Sequence, residues 1–145
     1  MTGRQIRVVL IDDSEADNFL HRRALETSGL VSEIVIHPDP ERGLEHLRGL
    51  AADGAEPPDL LLLDINMPRM TGWEFLDAYR TLPAGHRART VLYLLSATSN
   101  AADHERAARH DVVDGIRTKS LTDEVLREII ADHFDDEHPN ATTPP

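Results

Sequence analysis

No cysteine occurs in the 145-residue chain. Disulfides, thiol catalysis and thiolate metal sites are therefore excluded. No apolar run approaches the roughly 20 residues that a membrane-spanning helix requires. Met1 to Gln5 is polar, and Ile6 to Ile11 is too short for the apolar core of a secretory signal. A cytoplasmic location is the expectation. No glycine-rich loop follows the first hydrophobic run, which removes the usual cradle for nucleotide phosphates. Long Lys/Arg clusters are missing too: Arg22-Arg23 has Asp17 and Glu26 nearby, and Arg87 and Arg89 form the other basic pair. With a net charge of −11, the chain is expected to be repelled by nucleic acid and by anionic membranes. The eight His residues show no close paired spacing such as HxxxH, so scattered surface His is the expectation.

What is present is a regular alternation. Composition is ordinary for a globular protein, with 40% hydrophobic and 28% charged residues, and the length suits one domain. Strands are predicted at Ile6 to Ile11, Val31 to Ile36, Leu60 to Leu63, Thr90 to Leu95 and Val112 to Ile116. Helices are predicted at Glu15 to Thr27, Pro38 to about Ala52, Gly72 to Tyr79, Asn100 to His110 and Leu121 to Phe134. In the first helix, Phe19, Leu20 and Ala24 keep helical spacing, and Gly29 is its expected stop. In the last, Thr122 is the expected cap, with Val125, Leu126, Ile129 and Ile130 facing inward. Trp73 and Phe75 read as core. The pattern implies an α/β fold: a doubly wound, five-stranded parallel sheet with right-handed crossovers and helices on both faces. Residues 1–134 are expected to form this domain, and the acidic 135–145 stretch a disordered tail.

Two strands run straight into acids. Leu60-Leu61-Leu62-Leu63 ends at Asp64, followed by Ile65-Asn66-Met67-Pro68 and Gly72. Val8-Val9-Leu10-Ile11 ends at Asp12-Asp13. In open α/β sheets, ligands and chemistry collect at the C-terminal strand edge. If these strands are parallel neighbours, three carboxylates meet there, a costly cluster unless a cation neutralises it. Ser96 follows the fourth predicted strand and Lys119 lies just past the fifth, so both belong to the same edge. Three acids, a hydroxyl and an ammonium are the groups that phosphoryl transfer to a carboxylate needs. An Asp supplies the nucleophile, Mg²⁺ takes oxygen ligands, and the Lys and hydroxyl meet the remaining phosphoryl oxygens. Taken singly, each has a bland reading: Asp12-Asp13 as a solvated turn or helix cap, Ser96 as a turn residue, Lys119 as a surface lysine.

Taken together, they resemble the response-regulator receiver domain of two-component signalling, in its stand-alone, single-domain form. The resemblance rests on Asp12-Asp13, Asp64, Met67-Pro68 with Gly72, Ser96-Ala97 and Lys119, and spans roughly Arg4 to Phe134. It implies a flavodoxin-like (βα)5 fold with strand order 2-1-3-4-5. It implies that Asp64 accepts a phosphoryl group from a histidine kinase or histidine phosphotransfer protein. Asp13, Asp64 and the Asn66 carbonyl would ligate Mg²⁺ directly, Asp12 would act through water, and Ser96 and Lys119 would bind phosphoryl oxygens. Asn66 and Thr98 fall where relatives tune the lifetime of the phosphoryl group. The protein would be no enzyme in the usual sense, performing at most self-catalysed phosphoryl transfer and autodephosphorylation. Its output would be binding to a downstream protein through the helix Asn100 to His110, the fifth strand and the helix from Leu121, or relay of the phosphoryl group to another histidine. Relatives often pair through their last helix faces, which leaves a homodimer open.

Two positions depart from the family pattern. Ser120 stands where a Pro usually follows the Lys, and Ile116 where many members have Tyr or Phe. These departures keep an alternative in view: an adaptor with the receiver fold that binds its partner without phosphorylation. A hydrolase resembling haloacid-dehalogenase-like phosphatases would need a second Asp two residues after the nucleophile, where this chain has Asn66.

Overall fold

The computed structural model describes residues 5–97, 100–119 and 121–134. The tail 135–145, Thr98 and Ser120, about which the sequence raised expectations, lie outside the described residues. Five strands, β1 (Ile6–Ile11), β2 (Val31–His37), β3 (Leu60–Asp64), β4 (Val91–Ser96) and β5 (Gly115–Thr118), form one sheet in the order β2-β1-β3-β4-β5. Every pairing is parallel. Six helices connect and close it: α1 (Glu15–Ser28), α2 (Pro40–Ala52), α3 (Gly72–Tyr79), α4 (Ala84–Arg87), α5 (Ala101–Arg109) and α6 (Asp123–Phe134). The expected strand order and fold class are found.

The sheet is covered on both faces, which is why its central strands are apolar throughout rather than alternating. Successive side chains point to opposite faces. Val9, Ile11, Leu61, Leu63, Leu92 and Leu94 meet Leu44 and Leu47 of α2, Phe75, Leu76 and Tyr79 of α3, and Ala107 of α5. Val8, Leu10, Leu60, Leu62, Tyr93 and Leu95 meet Leu25 of α1 and Leu126, Ile129 and Phe134 of α6. All four leucines of β3 are fully buried, each contributing roughly 1.5–3 kcal/mol. Trp73 and Phe75 are core residues, as expected. Trp73 also carries the Arg106 guanidinium of α5 over its ring, 4.3 Å from the centroid. Thr122 caps α6 through the Val125 N–H, at 3.1 Å.

Three local features differ from what the sequence pattern suggests. The helix α4 was not foreseen: four residues behind Pro83 are too few to show periodicity. The fifth strand is displaced from Val112 to Ile116 onto Gly115–Thr118. Val112 and Val113 are partly buried against the core from a turn, where His110 accepts the N–H of Val113 at 3.2 Å. Their apolar character therefore marks contact with the core and not strand pairing. The regularly spaced Phe19 and Leu20 of α1 do not form its inner face. Phe19 and Leu20 are 62% and 57% exposed, while Asn18, His21, Leu25 and Ser28 are buried. This helix lies over the acidic end of the sheet, so its inner face is largely polar. Asn18 donates to the Asp12 carbonyl at 2.7 Å. Phe19→Ser should therefore change unfolding free energy by less than about 0.5 kcal/mol, and Leu25→Ala should cost about 2–5 kcal/mol. Urea denaturation of the two variants checks the assignment, and a larger loss in Phe19→Ser would refute it.

Candidate functional site

The register of the sheet builds the site. Ile11 of β1 pairs with Leu63 of β3, so Asp12 and Asp64 emerge side by side where the two strands end. Asp64 in turn pairs with Leu95 of β4, one residue before Ser96. Carboxylate oxygens of Asp12, Asp13 and Asp64 all lie within 4.8 Å of one another. Asp12, Asp64 and Ser96 are buried, whereas Asp13 is exposed. Lys119 reaches the same place because its backbone N–H donates to the Ser96 carbonyl at 2.6 Å. Its Nζ lies 3.1 Å from Asp12 Oδ2 and 3.4 Å from Asp64 Oδ1. The structure thus brings Asp12, Asp13, Asp64, Ser96 and Lys119 to one sheet edge, with Asn66 in the adjoining loop.

Local structure holds each acid. Asp12 Oδ1 accepts the Ser14 N–H at 2.9 Å, and Ser14 Oγ caps α1 through the Asp17 N–H. Asp64 Oδ1 accepts the Asn66 N–H at 3.3 Å, while Asp64 Oδ2 is buried without a hydrogen-bond partner among the described residues. The loop after Asp64 is pinned by Gly72, whose N–H donates to the Ile65 carbonyl at 2.7 Å. A Cβ on Gly72 would stand 2.8 Å from the Asp64 carbonyl oxygen and 2.9 Å from Ile65 Cα. Both are backbone atoms and cannot swing aside. Thr71 and Glu74 then start α3 with a reciprocal capping box. Beside Asp13 lies a cavity of about 220 Å³, lined by Pro38, Asp39, Pro40, Met67, Pro68 and Arg69. An Arg69–Asp39 ion pair of 3.0 Å ties the loop after Asp64 to the start of α2.

One site residue escaped the sequence reading. Asp17 was taken as a neighbour of Arg22-Arg23, but Arg22 pairs with Glu26 at 3.2 Å. Asp17 Oδ2 instead lies 2.7 Å from Lys119 Nζ, the shortest ion pair that lysine makes. The two are 102 positions apart, so only the fold joins them. His21, one turn further along α1, is buried and its proton affinity is lowered by desolvation.

Burial and the Asp12 charge push the Asp64 carboxyl up to about 7. Lys119 and the Asn66 N–H oppose that shift and do not cancel it. Burial disfavours a charge on Lys119, yet Asp17, Asp12 and Asp64 outweigh it and tighten its hold on the proton. The Lys119 ammonium in turn draws the Asp17 carboxyl below the usual range. Hard oxygen donors, an excess of negative charge and an open buried oxygen on Asp64 suit a divalent cation such as Mg²⁺.

Comparison with known proteins agrees with this geometry. The family model for the response regulator receiver domain matches residues 8–131. The chain belongs to the response regulator receiver family. It is 29% identical to a probable chemotaxis protein CheY of Rhizobium etli, over 88% of this chain and 92% of that one. It is 28% identical to the probable methanogenesis regulatory protein FilR2 of Methanothrix harundinacea, over 85% of this chain and 77% of the other. In multidomain relatives it spans only part: 35% of a protein-glutamate methylesterase/protein-glutamine glutaminase of Pyrococcus abyssi. Among solved structures, a two-component response regulator from Cytophaga hutchinsonii superposes with a TM-score of 0.84 at 29% identity, covering 92% of this chain and all of that one. No helix among the described residues is long and apolar enough to cross a membrane.

Two outcomes follow from the site. In metal-free protein, folded Asp64 keeps a proton up to about pH 7, whereas the unfolded chain releases it near 3.8. The stability contributed by this group is present at low pH and lost as pH rises across that window. Thermal unfolding of metal-free wild type should show this loss, Asp64→Asn should lack it, and Mg²⁺ should raise the melting temperature most at the high-pH end. Matching pH profiles for the two proteins would contradict the assignment. Gly72→Ala should cost about 1–3 kcal/mol and weaken Mg²⁺ binding together with stability, measured by denaturation and by calorimetric titration.

Proposed function

We propose that Asp64 is the phosphoacceptor of a signalling module and takes its phosphoryl group from a phosphohistidine on a kinase or phosphotransfer protein. The observation that carries this reading is the Asp64 carboxylate itself. It is buried at the strand edge with Oδ2 unpartnered among the described residues, between further acids and an ammonium. In the step inferred, an Asp64 oxygen attacks phosphorus as the P–N bond of the phosphohistidine breaks. The imidazole leaves with that electron pair and regains its proton from solvent, and Asp64 becomes an acyl phosphate. Asp13, Asp64 and the Asn66 carbonyl would hold Mg²⁺, with Asp12 acting through water. When bound, the ion supplies charge neutralisation and oxygen ligation for the phosphoryl group. Lys119 supplies N–H donors to the incoming phosphoryl oxygens, and the buried hydroxyl of Ser96 faces the same task from β4.

Transfer exchanges a singly charged carboxylate for a group of nearly twice the charge. A partner that binds this altered edge more tightly than the resting one is recruited by that difference in affinity. The surface inferred for it comprises α5, β5 and α6. Ile116 replaces the aromatic ring that many relatives carry there, so the packing change that couples Asp64 to this surface runs through other side chains. Relay of the phosphoryl group to a second histidine is the other use of the same acyl phosphate.

Intact-mass spectrometry after incubation with Mg²⁺ and acetyl phosphate tests the reading. Wild type should gain one phosphoryl group, and Asp64→Asn should gain none. Wild type without an adduct, either from acetyl phosphate or from a panel of phosphorylated histidine kinases, would leave the phosphorylation-independent adaptor as the better account.

A further inference from the structure

Asp12, Asp13 and Asp64 account for the acids that meet at the strand edge, and Asp17 is left without a task. It sits in the first turn of α1, its backbone fixed by the Ser14 cap. Its carboxylate is about one-third exposed, unlike those of Asp12 and Asp64. Lys119 is the only lysine among the 15 Lys and Arg residues of the chain. Of its three carboxylate neighbours among the described residues, Asp17 at 2.7 Å is nearest, Asp12 at 3.1 Å next and Asp64 at 3.4 Å farthest.

That order is informative. An ammonium on a flexible four-carbon stem, free to move beside a buried carboxylate, closes to a charge-assisted hydrogen bond of roughly 2.7–2.9 Å. Lys119 makes that bond to α1 instead of to Asp64. Asp64 Oδ1 is left with one long backbone contact and the ammonium at 3.4 Å, and Oδ2 is open among the described residues. A contact already complete in the resting state lowers the starting point as much as the transition state and accelerates nothing. An ammonium held a few tenths of an ångström short of the acceptor keeps its best contact for oxygens that arrive with the phosphoryl group. It has three N–H donors, enough to serve Asp17, Asp12 and one phosphoryl oxygen together.

We propose that Asp17 is a positioning residue: from α1 it holds the Lys119 ammonium short of Asp64, leaving the acceptor free to attack and the ammonium ready for the phosphoryl oxygens. This inference rests on Asp64 being the phosphoacceptor. The full-strength charge of Asp17 is consistent with it, since Lys119 lowers the proton affinity of that carboxyl. Substitution of Asp17 frees Lys119 to close on Asp64 and masks the nucleophile.

The full chain, labelled with ¹⁵N-lysine, gives one Nζ resonance because there is one lysine. Wild type, Asp17→Ala and Asp17→Glu are compared for acyl-phosphate formation from acetyl phosphate at saturating Mg²⁺, alongside Mg²⁺ affinity, melting temperature and the Nζ signal. At saturating Mg²⁺, Asp17→Ala should form the acyl phosphate about tenfold more slowly, with a displaced Nζ signal, a weaker Mg²⁺ affinity and little change in melting. Asp17→Glu, which keeps the charge, should recover most of the rate. An unchanged or faster rate in Asp17→Ala, or an Nζ signal that does not move, overturns the inference while leaving the phosphoacceptor reading intact. Wild type that takes no phosphoryl group sinks both.

Discussion

Like charge gathered at a buried edge is the constraint on which this protein turns. At the 4.8 Å that bounds their oxygens, Asp12 and Asp64, once both are ionised, repel each other by roughly 3 kcal/mol at an effective dielectric constant of about 20. Net stabilities of domains this size are only about 5–15 kcal/mol, so such a repulsion is a large fraction of the whole. The fold tolerates it because the central strands are anchored elsewhere. Leu60 to Leu63 and Val8 to Ile11 lie in the middle of the sheet under helices on both faces. The acids sit where β1 and β3 run out, and they cannot separate without breaking those strands apart. Stability made in the core is thereby spent on holding carboxylates together at one edge.

Much of this could be read in the sequence because it follows from short-range patterns. A run of four leucines ending in Asp64, and a second apolar run ending in Asp12-Asp13, declare buried parallel strands that deliver acids to one edge. Pro68 and Gly72 declare the turn that follows Asp64, whereas the Thr71 cap that starts the next helix emerged only with the fold. Other features were hidden for definite reasons. The inner face of α1 carries Asn18 and His21 because it covers the acids, so hydrophobic periodicity pointed to Phe19 and Leu20, which face solvent. Val112 and Val113 are apolar as core contacts within a turn, and they drew the fifth strand three residues early. Asp17 looked like any acid in the first turn of a helix, where the dipole favours negative charge. Its partner is across the whole chain, and no local signal announces it.

The two faces of the sheet divide the labour. Helices α2, α3 and α5 pack on one side and carry the loop after Asp64, with Gly72 wedged against the Asp64 backbone. Helices α1 and α6 pack on the other and carry Asp17 over the site toward Lys119. Asp64 is therefore held from beneath by one layer, while the ammonium that faces it is held by the other. A change of charge on Asp64 acts on both layers together.

The ring of Trp73, one residue beyond that wedge, is the chain's single indole. It lies under the guanidinium of Arg106, so one side of it belongs to the start of α3 and the other to α5. Its emission is consequently a built-in optical gauge of the distance between those two elements. The protein carries its own fluorescent label at the seam where an event at the sheet edge would first be felt by the helix beyond it.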